Sequence, residues 1–145
     1  MEEEDSKELA NAGSYGARAH FEAKGRLTGD DLGKIVGANL LEMARDVSAR
    51  GGMVGHLKAF VRLPGGFLKV NVVDQELGAD ISGTAGASLV TSGTMNVMVV
   101  AIGIDDCQAK EVLESGLKGL DGRVRILKLE DGHDEGAEHK MISLG

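Results

Sequence analysis

Aromatic residues are scarce in this chain: three Phe, one Tyr and no Trp among 145 residues. A core built without them is aliphatic, drawn from Val, Leu, Ile, Met and Ala. Few rings remain to anchor a broad adhesive interface, so any partner site is expected to be polar or small. Cysteine occurs once, at Cys107, which excludes an internal disulfide and a cysteine-based zinc site. It stands beside Asp105 and Asp106, where a small structural residue is the simpler reading. No apolar run approaches the roughly 18 residues of a membrane span, and the opening MEEEDSKEL is acidic where a secretory leader is basic. A cytoplasmic protein with no membrane partner is expected.

Glycine, by contrast, is abundant: 22 residues, about twice the usual share of roughly 7%. The net charge of −7 is unevenly spread. Residues 1–14 carry five acids and one base, residues 15–73 nine bases and five acids, and residues 74–145 thirteen acids and six bases. The acidic total argues against a protein that coats duplex DNA, while the basic middle leaves room for a local binding face. One domain over residues 15–130 is expected, between an acidic, solvated arm (1–14) and an acidic tail (131–145).

Periodicity supplies the elements. Residues 95–104 (MNVMVVAIGI) are apolar almost throughout and rich in β-branched side chains, and read as a strand buried on both faces. Asp105 with Gln108 forms a capping-box signature, and Ala109, Val112, Leu113, Gly116, Leu117 and Leu120 recur at helical spacing behind it. Residues 123–130 (RVRILKLE) return as a strand after the Asp121-Gly122 turn. Upstream, residues 15–24 alternate: Tyr15, Ala17, Ala19, Phe21 and Ala23 on one side, Arg18, His20, Glu22 and Lys24 on the other. That period predicts a strand with one wet face. A helix over 8–24 is the rival, opposed by Gly13 and Gly16.

Thr28 caps a second helix whose stripe is Leu32, Ile35, Val36, Leu40, Met43 and Val47, ending at Gly51-Gly52. Gly33 and Gly37, one turn apart inside it, each cost about 1 kcal/mol against Ala and point to close packing against the sheet. Residues 53–62 and 67–74 flank Leu63-Pro64-Gly65-Gly66, a hairpin signal. Met53, Leu57, Ala59 and Val61 are expected inward on the first strand, with Leu68, Val70 and Val72 inward on the second. Residues 75–94 are rich in small side chains and read as an irregular lid, mobile over 78–86, with a short strand at 87–91 as the alternative.

The fold class that follows is α+β. Two helices pack on one face of a mostly antiparallel sheet, resembling a ferredoxin-like β-α-β-β-α-β plait with an extra strand.

If that plait is right, the outward sets of the first three strands share one open face. It gathers the candidate ligand-binding residues His20, Glu22, His56, Lys58, Arg62, Lys69 and Asn71, and the candidate nucleic-acid set Lys58, Phe60, Arg62, Phe67 and Lys69. Cations around two exposed rings suit single-stranded RNA or DNA, where bases stack and phosphates pair. His20, Glu22 and His56 have the chemistry of a transition-metal or anion site, without motif spacing. His133 and His139 lie among acids in the tail, which reads mainly as solvated. Residues 83–88 and 91–94 are rich in backbone donors, but they precede a strand, contain no lysine and match no phosphate-loop motif. No serine, histidine and acid are ordered for nucleophilic catalysis, and no catalytic residue is assigned.

The leading expectation is a small binding or regulatory domain that assembles as a homo-oligomer through the open face. Val54, Phe60, Phe67 and Val73 are taken to point outward on that face. Single-stranded nucleic-acid binding is the first alternative. A small anionic ligand or metal site around His20 and His56 is the second, with no cofactor assigned.

Overall fold

The computed structural model describes residues 12–131. The arm up to residue 11 lies outside the described residues, as does the tail from residue 132 with its candidates His133 and His139. Eight elements follow in order: β1 (Ala12–Ala23), α1 (Gly29–Ala49), β2 (Met53–Leu63), β3 (Gly66–Val72), β4 (Asp80–Gly83), β5 (Ser92–Ile102), α2 (Asp106–Lys118) and β6 (Val124–Asp131). The six strands form one open antiparallel sheet in the order β4-β3-β2-β5-β1-β6. Both helices lie on one face of it, α1 over β3 and β2, α2 over β1 and β5. The class is α+β.

Both helices begin where their side chains place them. Thr28 accepts from Asp31 N–H through its hydroxyl while Asp31 accepts from Thr28 N–H, and Asp105 and Gln108 repeat that exchange on α2. All six apolar positions of the predicted α1 stripe are buried, as are Ala109, Val112, Leu113 and Leu117 of α2. The helices meet where α2 has no side chain. A Cβ on Gly116 would stand 2.6 Å from Met43 Cγ, and Asn39 donates to the Gly116 carbonyl at 2.7 Å. Arg50, held by Asp46 of α1 itself (2.9 Å), ties the end of that helix to α2 through Glu111 (2.7 Å). Among the described residues the core is aliphatic with one deeply buried ring, Phe21.

Three expectations are corrected. First, β5 is buried on one face only. Met95, Val97, Val99 and Ala101 pack under the helices, whereas Asn96, Met98 and Ile102 are exposed. Second, Gly55 is an unpaired bulge in β2, since Val54 pairs with Ala101 and His56 with Val100. A one-residue insertion reverses which face the side chains take, so Met53 turns out and Val54 turns in against the core. Third, the small-residue segment is not a lid. Residues Asp80–Gly83 form β4, paired with β3, and this is not the 87–91 strand considered as the alternative. The sheet therefore has two strands, β3 and β4, beyond a four-strand β-α-β-β-α-β order, rather than one.

The glycines of α1 explain β4. A Cβ on Gly33 would lie 3.0 Å from Ile81 Cγ2, and one on Gly37 3.1 Å from Ala79 Cβ. The bare helix surface is the seat of this short strand. The loop after β4 then closes the start of α1. Thr28 N–H donates to the Asp31 carboxylate (3.1 Å), Gly29 N–H to Ser88 O (2.9 Å), Asp30 N–H to Gly86 O (2.8 Å) and Asp31 N–H to the Thr28 hydroxyl (3.1 Å). The four N–H groups that a helix leaves open are all taken by the chain itself, so the glycine-rich stretch supplies acceptors to a helix instead of donors to a phosphate.

Candidate functional site

With one face under helices, the other is covered by no element among the described residues, and register sets what meets there. One row across the sheet reads Asp80, Asn71, Lys58, Met98 and Gly16. The next reads Ser82, Lys69, Phe60, Asn96, Arg18 and Glu130, and a third Phe67, Arg62, Thr94, His20 and Lys128. The predicted nucleic-acid set Lys58, Phe60, Arg62, Phe67 and Lys69 thus lies together on the β2–β3 hairpin. Its Pro64-Gly65 turn and continuous ladder from Leu57–Val72 to Leu63–Gly66 hold the two strands in register.

The rings of Phe60 and Phe67 stack at 5.6 Å between centroids and 20° between planes. The Arg62 guanidinium sits 4.9 Å from the Phe60 ring centre, within cation–π range. Both rings are half-exposed, while Lys58, Arg62 and Lys69 are exposed. Neither β2 nor β3 contains an acid, and none of these three cations has an ion pair among the described residues.

The β1–β6 side is wired differently. His20 Nε2 donates to Glu130 Oε1 at 3.2 Å, Arg18 reaches the same carboxylate at 3.9 Å, and Lys128 holds its other oxygen at 3.2 Å. The hydrogen bond from His20, and then that from Lys128, hold the Glu130 carboxyl below the usual glutamate range. Glu22 meets Arg125 at 3.5 Å.

The ligand-binding candidates therefore divide. His56, Lys58, Arg62, Lys69 and Asn71 belong to the hairpin, where His56 Nε2 lies 3.1 Å from Asn71 Oδ1. His20 and Glu22 belong to the β1–β6 side. His56 aligns through Val100 with Ser14 on β1, and from Ser14 to His20 is roughly 20 Å of strand at about 3.3 Å per residue. The two histidines do not converge. The small-residue segment, seated on α1 at the edge of the sheet, does not roof them. No group of three or more His, Cys, Asp or Glu able to hold a metal occurs among the described residues. Cys107 is exposed in the first turn of α2.

A third part of the face is apolar. Met53 is 66% exposed, Met98 43% and Ile102 40%, and Val73, just past β3, is 56%. Met53 and Ile102 are register partners, and Val100 lies next along β5 on the same side. Met98, Val100 and Ile102 are absent from the expected face because an almost wholly apolar run is expected to be buried on both sides. Asn96, the one polar residue inside that apolar run, carries the signal that one side is wet. Met53 was misplaced through the Gly55 bulge.

No helix among the described residues is long and apolar enough to cross a membrane. Compared with known families, characterised proteins and solved structures, the chain matches none.

Proposed function

We propose that this chain is a small binding or regulatory domain that works through its uncovered sheet face and assembles with a second copy of itself through the apolar end of that face. The observation that carries the reading is the exposed set Met53, Met98 and Ile102 beside Val100, on central strands whose helix-side residues Leu57, Ala59, Val97 and Val99 are buried. Methionine and isoleucine at the centre of a sheet, flanked by polar rows, suit a covered surface better than a wet one. Self-association about a two-fold axis would set this patch against its own copy. We also read the strand order β6-β1-β5-β2, with a helix after β1 and another after β5, as a ferredoxin-like plait extended at one edge by β3 and β4. The antiparallel pairing and the placement of both helices on one face support that reading.

Light scattering on the eluting peak of a size-exclusion column tests it. A mass about twice 15.1 kDa is expected, and Met98→Lys with Ile102→Lys should return the chain to monomer without unfolding it. Both positions are solvent-facing in the isolated chain, so the lysines disturb only the association. A wild-type monomer at tens of micromolar would refute the reading.

A further inference from the structure

The hairpin end of the same face is built for something other than a second copy of an acidic protein. We infer that the open face of β2 and β3 binds single-stranded nucleic acid, with Phe60 and Phe67 stacking bases and Lys58, Arg62 and Lys69 meeting phosphates.

Charge is the first ground. The chain carries −7 overall, yet β2 and β3 hold no acid, and their three open-face cations have no ion pair among the described residues. Elsewhere Arg45, Arg50, Arg123 and Arg125 each meet a carboxylate within 3.5 Å. A face that served only to solvate the sheet would carry both signs interspersed, as β1 and β6 do. On β2 and β3 one sign is set apart, Asp80 entering the Lys58 row only from β4 beyond Asn71, and the partner the hairpin fits is a polyanion.

The rings decide which polyanion. Two of the three phenylalanines in the whole chain stand on this hairpin, half-exposed and stacked, with the Arg62 guanidinium over one of them. An acidic peptide offers flat surfaces for neither ring nor guanidinium, and a duplex keeps its bases stacked on one another. Unpaired bases offer planar faces to both. Geometry agrees. Lys58, then Phe60 opposite Lys69, then Arg62 opposite Phe67 climb the hairpin in successive open-face rows, about 7 Å apart from the strand rise. Cations and rings therefore alternate along one track, as an extended strand of alternating phosphates and bases requires. This site shares the open face with the assembly patch but none of its residues, and it does not depend on assembly.

Fluorescence anisotropy tests it, with labelled twelve-residue probes: mixed-sequence RNA, mixed-sequence DNA, the corresponding DNA duplex, and oligo-glutamate. Micromolar binding to one or both single strands is expected, well ahead of the duplex and the peptide. The RNA and DNA probes tell which sugar is preferred. Three phosphate contacts predict roughly 20-fold weaker binding from about 50 to about 200 mM salt, from a slope near −0.7 per contact on single strands. Lys58→Glu with Lys69→Glu should abolish binding. Phe60→Leu with Phe67→Leu, which keeps apolar bulk and strand compatibility, should weaken it about tenfold or more, with circular dichroism confirming the fold. No binding at micromolar protein in low salt would overturn the inference. Oligo-glutamate bound as tightly as the single strands would also overturn it, and so would unchanged affinity in a folded leucine variant.

Discussion

The seat of β4 on α1 is the most specific packing claim the structure makes, and Gly37→Leu probes it. A Cβ at Gly37 would lie 3.1 Å from Ala79 Cβ and 3.5 Å from Ile81 Cδ1, so the rest of a leucine has no room while β4 stays in place. Two responses are open. The core can strain, which costs about 1–3 kcal/mol for an overpacked site, or β4 can leave. Departure is the cheaper response. Ile81 is already 42% exposed, so releasing it forfeits only part of the roughly 1.5–3 kcal/mol that a fully buried isoleucine contributes. The lost ladder bonds, at about 1 kcal/mol each, are largely offset by backbone entropy regained at about 1–2 kcal/mol per residue over this short strand. The helix itself gains close to 1 kcal/mol when glycine is replaced.

The variant is therefore expected to lose no more than about 1 kcal/mol of global stability in a urea melt, taking those opposing terms together. Its β4 amides should at the same time lose their protection from hydrogen exchange, while those of β5 keep it. Protected β4 amides alongside a global loss above about 3 kcal/mol would mean that the strain falls in the core. The glycines would then not be the seat.

Two further outcomes follow from the caps and the β1–β6 network. Thr28→Ala removes one acceptor from the start of α1 and should cost about 1 kcal/mol in a thermal or urea melt, with Thr28→Ser close to wild type; an unchanged midpoint for the alanine variant would show that the loop carbonyls suffice. Glu130 is held below its ordinary range chiefly by His20 and next by Lys128. Its contribution is accordingly present above the ordinary glutamate value of about 4.3 and lost as pH falls through the lower folded value. His20→Ala should shift the Glu130 carboxyl titration, followed by carbon NMR, upward toward the ordinary range. A titration that does not move would remove His20 as the cause.

Much of the local structure was legible because it depends on neighbours in the chain. Thr28 with Asp31, and Asp105 with Gln108, are reciprocal bonds over three residues, and a capping box can be read wherever both partners are written down. The alternation from Tyr15 to Phe21 and the hairpin around Pro64-Gly65 are of the same kind. The candidate face was legible in part for the same reason: Lys58, Phe60, Arg62, Phe67 and Lys69 are brought together by one tight turn, and no other element has to be placed first. His20 and His56 were not assessable in this way, because β5 inserts between β1 and β2 and its register sets their separation.

What the amino-acid sequence determined by itself is the set of elements whose signal is periodic and whose bonds are short-range: two capped helices, the alternating first strand, the hairpin and its one-signed face, and an aliphatic core. Tertiary structure alone decided the rest. Gly33 and Gly37 announce a close approach but not what approaches, and only the folded chain puts Ile81 and Ala79 there. The run of residues 95–104 is apolar on both sides but for Asn96, and the sheet, with helices on one face, is what separates buried Val97 and Val99 from exposed Met98 and Ile102. The bulge at Gly55 exchanges Met53 for Val54 through a pairing with β5 that no local pattern records. The physical reason is common to all three: periodicity reports which residues share a side, whereas what covers that side is set by chain distant in sequence.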